Sequence, residues 1–125
     1  MQQVSDYELK LMKIIWENGG TAMYADIFTA LEAKGAPWTK NTIIALLSRL
    51  IDKGLLKISK TGRRNIYMAI VAEHEYQADQ TTRFINKIFE GRTTGLVTAL
   101  IDNNLLSPRD YAELQKYWNG GEENA

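Results

Sequence analysis

The segment from Trp38 to Gly54 constrains the fold more than any other part of the chain, because it carries both end signals of a helix. Thr39 has a hydroxyl group that can cap the first turn. Gly54 supplies the left-handed residue that commonly follows a helix, and Lys53 places a cation near its C-terminus. Between these signals, apolar residues at helical spacing form a stripe of Ile43, Leu46, Leu47 and Leu50. The sequence therefore predicts a capped amphipathic helix with this stripe buried.

The opposite face of this helix is small, hydrogen-bonding and mostly uncharged. It consists of Asn41, Ala45, Ser48, Arg49 and Asp52, with Lys40, Thr42 and Ile44 on its flanks. A solvated helix in an ordinary enzyme would normally carry more Glu and Lys outside. A lean polar face suits a helix that lies in a DNA groove and reads base edges. We therefore interpret the segment as the recognition helix of a DNA-binding domain.

The distribution of charge supports this interpretation, although the net charge of the chain is zero. Residues 1–72 contain 10 Lys or Arg and 6 Asp or Glu, whereas residues 73–125 contain 5 and 9. Within residues 40–64 there are 7 basic residues and a single acidic residue, Asp52. A neutral chain that concentrates its positive charge in one segment has an electrostatic footprint for a polyanion.

Several functional classes are excluded by residue usage. There is no cysteine, and His74 is the only histidine, so thiolate sites and most zinc or histidine-based catalytic sites are excluded. No paired carboxylates, nucleophile elbow or glycine-rich phosphate loop appears. No apolar export signal or membrane-spanning run occurs either. We expect a cytoplasmic protein that is not an enzyme and has no metal, cofactor or membrane partner.

The order of elements around the recognition helix predicts a winged helix-turn-helix. Ser5 and Glu8 have the spacing of a capping box and open a helix with the apolar stripe Leu9, Met12, Ile15 and Trp16. A short strand over 21–23 and a helix over about 24–34 follow, the latter expected to bury Ile27, Phe28 and Leu31. A turn over 35–37 leads into the recognition helix. Beyond it, strands over 55–59 and 65–71 form a hairpin around Gly62. The hairpin presents Lys60, Arg63 and Arg64 to DNA, where Arg63 and Arg64 reach either phosphates or a minor groove.

The C-terminal part reads as a helical dimerisation domain over residues 73–125, following the DNA-binding domain over residues 1–72. Three amphipathic helices are predicted, with a frayed end over 120–125. Such short helices bury too little apolar surface to be stable alone, so we expect a second copy of the chain to cover them. The expected interface residues are Phe84, Ile85, Ile88, Phe89, Leu96, Val97, Leu100, Ile101, Leu114 and Trp118. A ligand cavity is the alternative use of these stripes.

Three groups of residues resemble the penicillinase-repressor family, the BlaI/MecI/CopY group of bacterial winged-helix repressors. The first is Ser5-Asp6 with Ile14-Ile15-Trp16, and the second runs from Trp38-Thr39 through Arg49-Leu50 to Lys53-Gly54. The third combines the Gly62-Arg63 wing and Tyr67 with the C-terminal Phe84-Ile85-Asn86-Lys87. The resemblance implies a homodimer whose recognition helices enter successive major grooves of a palindromic operator. It also implies an antirepressor protease or sensor as a partner.

Carried over by position, Lys40, Asn41 and Thr42 stand where the family makes phosphate and base contacts. Together with the exposed helix face and the basic hairpin, the expected DNA-binding residues are Thr39, Lys40, Asn41, Thr42, Ile44, Ala45, Ser48, Arg49, Lys60, Arg63 and Arg64. The chain departs from the family where Pro-Lys-Thr becomes Lys40-Asn41-Thr42. Asn41 is an amide that suits adenine, and Ile44 stands where the family is often polar, so it suits a thymine methyl group. We therefore expect an operator that differs from the family's best-known sites.

Induction is the second point of departure. Antibiotic-responsive members are cleaved at an Asn-Phe bond, and the equivalent positions here are Ala99-Leu100. Copper-responsive members use a cysteine-rich tail, which a chain without cysteine lacks. The inducing signal therefore stays open.

Two alternatives also stay open. Arg49 either contacts phosphate or forms an ion pair with Asp52 or another acid. The winged helix either binds DNA or docks on a protein groove without touching DNA, although the basic segment argues against the second. Trp38 is expected to pack between helices rather than to contact DNA.

Overall fold

The computed structural model describes residues 1–35 and 38–123 of the 125-residue chain. Their elements are α1 (Asp6–Glu17), β1 (Thr21–Met23), α2 (Tyr24–Ala33), α3 (Lys40–Asp52), β2 (Leu56–Thr61), β3 (Arg64–Ala69), α4 (Glu73–Phe89), α5 (Thr93–Asp102) and α6 (Pro108–Glu123). The predicted class, mostly helical with an antiparallel wing after a helix-turn-helix, is confirmed. The predicted turn over 35–37 lies mostly outside the described residues, as does the end of the predicted frayed segment, although α6 continues to Glu123.

The chain divides into two compact units, residues 1–80 and 81–125. Helix α4 begins in the first unit and ends in the second. Near its start, Tyr76 is 6 % exposed and belongs to the core of the first unit. The boundary between functional domains at residues 72/73 stays a prediction.

Helix α1 begins with the predicted capping box. The backbone N–H of Ser5 donates to Glu8 Oε1 at 3.0 Å, and the N–H of Glu8 donates to Ser5 Oγ at 3.2 Å. The buried apolar side chains of α1 are Leu11, Met12, Ile14 and Ile15, whereas Leu9 and Trp16 are half-buried. The predicted stripe is too narrow, because α1 packs against α2, α3 and the sheet rather than against one neighbour.

Helix α2 buries Ile27 and Leu31 as expected, but the prediction for Phe28 is wrong. Phe28 is 37 % exposed and stacks on Tyr24, with ring centroids 6.0 Å apart. The two rings stand one helical turn apart, and half-buried Tyr24, which also packs against the core, covers part of Phe28.

The sheet of the first unit places β3 between β1 and β2, with both pairings antiparallel. In the β2–β3 hairpin, Ile58 pairs with Tyr67 and Lys60 with Asn65. Gly62 has φ 66°, and it occupies the first position of a two-residue turn that requires a positive φ there. The hairpin pairs up to Thr61 and Arg64, so the strands extend closer to the tip than the sequence predicts for β2.

In the second unit, Ser107 caps α6 with Pro108 in its first position, as the sequence predicts. Many predicted interface side chains are exposed in the single chain: Phe84 48 %, Ile88 54 %, Val97 42 %, Ile101 53 %, Leu114 51 % and Trp118 73 %. Others, including Ile85, Phe89, Leu96 and Leu100, are half-buried. None of the described helices is both long and apolar enough to cross a bilayer.

Candidate nucleic-acid interface

Helix α3 turns one face into the core and leaves the other open. The buried stripe is the predicted one: Ile43, Leu46, Leu47 and Leu50 are all between 0 % and 7 % exposed. Because these residues recur three and four positions apart, their burial fixes the rotation of the helix about its axis.

That rotation leaves the whole predicted reading face accessible to solvent. The exposed residues of α3 and its cap are Thr39, Lys40, Asn41, Thr42, Ile44, Ala45, Ser48, Arg49 and Asp52. Ile44 is the large apolar side chain among them and is 39 % exposed. Every α3 residue that the sequence assigns to DNA is therefore available to a partner.

Two threonines order the start of α3. The N–H of Thr42 donates to Thr39 Oγ1 at 3.2 Å, which confirms Thr39 as the N-cap. The Thr39 hydroxyl in turn donates to Thr42 Oγ1 at 2.9 Å. Since the Thr42 hydroxyl accepts this bond, its own proton stays available to a groove or phosphate oxygen.

The C-terminal end of α3 is tied to α1 through a buried ion pair. Lys53 Nζ donates to Glu8 Oε1 at 2.9 Å and to the carbonyl oxygen of Gln3 at 3.2 Å. Glu8 is only 2 % exposed, and among the described residues its second oxygen, Oε2, has no hydrogen-bond partner. Lys53 is therefore a structural cation that positions α3.

Burial raises the pKa of Glu8, but hydrogen bonds from Lys53 and Ser5 and the charge of Lys53 together outweigh that effect. The pKa of Glu8 consequently lies below its ordinary value of 4.5, and the carboxylate stays ionised at neutral pH.

Near the start of α3, two lysines lie over aromatic rings. These contacts are not predicted from the sequence. Lys40 Nζ lies 5.5 Å from the ring centroid of Tyr24, and Lys10 Nζ lies 5.8 Å from that of Trp38. Trp38 also meets Tyr7 of α1 edge-on at 5.1 Å, which confirms its predicted packing between helices. The four-residue spacing of Tyr24 and Phe28 in the sequence is a signal that could have indicated stacked aromatic rings on α2.

Arg49 makes no ion pair within 4.0 Å to any described residue, so the predicted alternative of an Arg49–Asp52 pair is not observed. Its guanidinium group stands exposed on the last turn of α3. No cluster of three or more metal-binding side chains occurs in residues 1–35 and 38–123.

The cations that the sequence assigns to the wing do not all lie on one face of the hairpin. Lys60, Arg63 and Arg64 are all exposed. Side chains alternate along a strand, so Lys60 shares the face of buried Leu56, whereas the partner positions Thr61 and Arg64 lie on the other face. The wing is thus a basic ribbon with positive charge on both sides of its tip.

Comparison with known proteins gives consistent matches along most of the chain. The penicillinase repressor family model matches residues 4–120. The penicillinase repressor of Bacillus licheniformis is 32 % identical over 112 residues, covering 90 % of this chain and 86 % of that protein. The methicillin resistance regulatory protein MecI of Mammaliicoccus sciuri is 28 % identical over 119 residues, covering 94 % of each chain.

Solved structures match the N-terminal part. The solution structure of the DNA-binding domain of the repressor BlaI is 36 % identical, with a TM-score of 0.51 over 59 % of this chain and 88 % of that one. The monomeric form of Bacillus licheniformis BlaI in complex with the blaP half-operator is also 36 % identical, with a TM-score of 0.50 over 60 % of this chain and 89 % of that one.

Proposed function

Because the chain belongs to the penicillinase repressor family, we propose that it is a homodimeric transcriptional repressor that binds a palindromic operator in the cytoplasm. Membership in a repressor family agrees with the prediction that the chain is not an enzyme. In this proposal the bound repressor occludes a promoter until an inducing signal releases it.

The observation that carries the proposal is the two-sided character of α3. Its apolar stripe is buried, while its opposite face is exposed, small and mostly uncharged, with Lys40 at its start and Arg49 in its last turn. An α-helix of this kind fits the major groove of B-DNA, which is about 12 Å wide. Further support comes from the BlaI relative, which was solved in complex with the blaP half-operator and is 36 % identical over the matched part of the chain.

The proposed contacts fall into two classes, those that bind and position the helix on the DNA backbone and those that read the bases. Lys40, Arg49, Lys60, Arg63 and Arg64 neutralise phosphates, which supplies affinity without sequence information. Thr39 and Ser48 hold hydroxyl groups near the groove wall and position the helix. Asn41, Thr42 and either Ile44 or Ala45 discriminate between bases.

A binding titration on the full chain tests the proposal. The probes are a duplex selected by the protein from a random library and a scrambled duplex of equal length, each measured by fluorescence anisotropy across a salt series. We expect tight, salt-dependent binding with a clear preference for the selected duplex. If no duplex is selected and both probes bind alike, the winged helix acts as a protein-interaction module instead.

Two variants separate the classes of contact. Replacing both Arg63 and Arg64 by Ala should weaken both duplexes similarly and reduce the salt slope by about 1 for each lost phosphate contact. Asn41→Ala should cost roughly 1–3 kcal/mol on the selected duplex only. Arg109→Ala, an exposed arginine on α6, is the matched control and should change neither quantity.

The dimer is proposed from the exposed apolar side chains of the second unit. Side chains such as Ile88 and Ile101 are more than half exposed in one chain, and a two-fold partner would cover them. Sedimentation equilibrium should give a dimer for the wild type and a monomer for Ile101→Asp. A wild-type monomer at micromolar concentration would remove the two-fold model of operator binding.

Release by an antirepressor protease would require cleavage at a bond that is poorly accessible in this structure. The Ala99–Leu100 bond lies inside α5, and both side chains are half-buried. A protease therefore reaches the bond only after α5 unwinds. Mass spectrometry of the repressor from induced cells tests this directly, because cleavage there leaves a fragment that ends at Ala99.

A further inference from the structure

The exposed face of α3 carries an unusual row of chemistry along one line of the helix. Asn41, Ile44 and Ser48 follow one another at spacings of three and four residues, so their side chains stand in one row. Along the row, Asn41 presents an amide, Ile44 a branched hydrocarbon and Ser48 a hydroxyl group. All three residues are exposed, and Ile44 is 39 % exposed at the centre of the row.

Residues 41–48, which form the middle of this face, include no lysine or arginine. The cations of α3 stand at its two ends, where Lys40 is held 5.5 Å from the Tyr24 ring and Arg49 lies in the last turn. Arg or Lys paired with guanine is the commonest specific contact in the major groove. The residues at the centre of α3 instead offer the methyl groups of Ile44 and Ala45.

The base-pair edge that matches such a surface is the adenine–thymine edge. Adenine presents an acceptor and a donor that suit an asparagine amide, and thymine presents a 5-methyl group, which contacts apolar side chains. An exposed isoleucine between two hydrogen-bonding residues cannot form hydrogen bonds with a base edge, but it can make an apolar contact with a methyl group. A single exposed isoleucine is common on protein surfaces and does not by itself indicate a binding partner. The position of Ile44 between Asn41 and Ser48 is what indicates a thymine methyl group as its partner.

We propose that Ile44 is a specificity-determining residue that reads the 5-methyl group of a thymine in the operator half-site. This inference rests on the proposed function and adds the identity of one base. The thymine lies beside the base that Asn41 contacts, because the two side chains are neighbours in one row on the helix.

Deoxyuridine substitution provides the test, since deoxyuridine differs from thymidine only by that methyl group. Each thymine of the selected duplex is replaced singly, and full-length wild type, Ile44→Ala and Ile44→Val are titrated against every duplex. For the wild type, one thymine per half-site should show a loss of about fourfold, the effect of removing one buried methyl group. Ile44→Ala should bind the thymine and deoxyuridine forms at that position equally, and Ile44→Val should keep part of the discrimination.

Ile70→Ala is the matched control, because Ile70 is also an exposed isoleucine of the first unit, 56 % exposed, but lies outside α3. It should keep the full fourfold discrimination, and thermal unfolding should show that all variants fold.

The inference is overturned if no single replacement weakens the wild type, or if the wild type and Ile44→Ala lose the same factor at every position. Either result leaves operator binding intact and reassigns Ile44 to a spectator role. Failure to select any duplex is a different outcome, because it removes the proposed function together with the inference.

Discussion

The ion pair between Glu8 and Lys53 allows a quantitative test of how α3 is held. Lys53→Met removes the cation but keeps an apolar stem of similar length, so Glu8 is left as a buried carboxylate. Breaking a fully buried pair in this way costs about 3–5 kcal/mol. The side chain of Lys53 is 26 % exposed, so solvent screens the pair and we expect about 2–3 kcal/mol. Most single-domain proteins have a stability of about 5–15 kcal/mol, so the change should be large.

The sign of the pH dependence distinguishes this explanation from simple loss of packing. In the wild type, the pKa of Glu8 lies below its ordinary value of 4.5, so the contribution to stability is present above that value and is lost as the pH falls through the folded-state pKa. In Lys53→Met, burial raises the pKa of Glu8 with less to oppose it. Protonation then relieves the buried charge, so the variant should be less destabilised near pH 5 than at pH 7.

Urea unfolding monitored by tryptophan fluorescence measures both effects. The double variant Glu8→Gln with Lys53→Met has no uncompensated charge, and it should be more stable than Lys53→Met alone at neutral pH. A double variant that is no more stable than the single one would refute the role assigned to the buried carboxylate. If Lys53→Met is destabilised by the same amount near pH 5 and at pH 7, that result would also refute the role assigned to the buried carboxylate.

Two further outcomes follow from local geometry. Gly62→Ala should destabilise the hairpin by about 1–2 kcal/mol, because the φ of 66° is left-handed, and Gly62→Asn should cost less; thermal unfolding compares them. Hydrogen bonds from the backbone and side chain of Ser107 hold the pKa of Asp110 below its ordinary value of 3.8. The cap of α6 should therefore persist at about pH 4 and be lost in stronger acid, and circular dichroism should show less helix in Ser107→Ala than in the wild type.

The sequence predicts the parts of the fold that depend on local signals. The Ser5–Glu8 capping box, the Thr39 cap and the turn at Gly62 each involve residues only a few positions apart, and the structure contains all three. The buried stripe of α3 is also correct, because α3 buries only one face of its surface.

The errors arise where tertiary packing decides. Leu11 and Ile14 are buried because α1 has neighbours on several sides, which a single apolar stripe does not reveal. Phe28 is 37 % exposed and stacks on half-buried Tyr24 rather than entering the core beside Ile27 and Leu31. The sequence predicts only a favourable interaction of Lys53 with the helix dipole, because its partner, Glu8, lies 45 residues away in sequence. For the reading face, sequence predicts which residues are exposed, while the base that each residue contacts stays a prediction.

The alternation of side chains along the wing makes its length a determinant of where its charge is directed. Inserting or deleting one residue between Arg64 and Tyr67 would turn the guanidinium group of Arg64 to the other side of the ribbon, without changing the composition of the hairpin. Repressors with identical basic residues in the wing would then contact phosphates on opposite sides of a groove. Hairpin length is therefore a way for the set of contacted phosphates to differ between paralogues while the recognition helix stays the same.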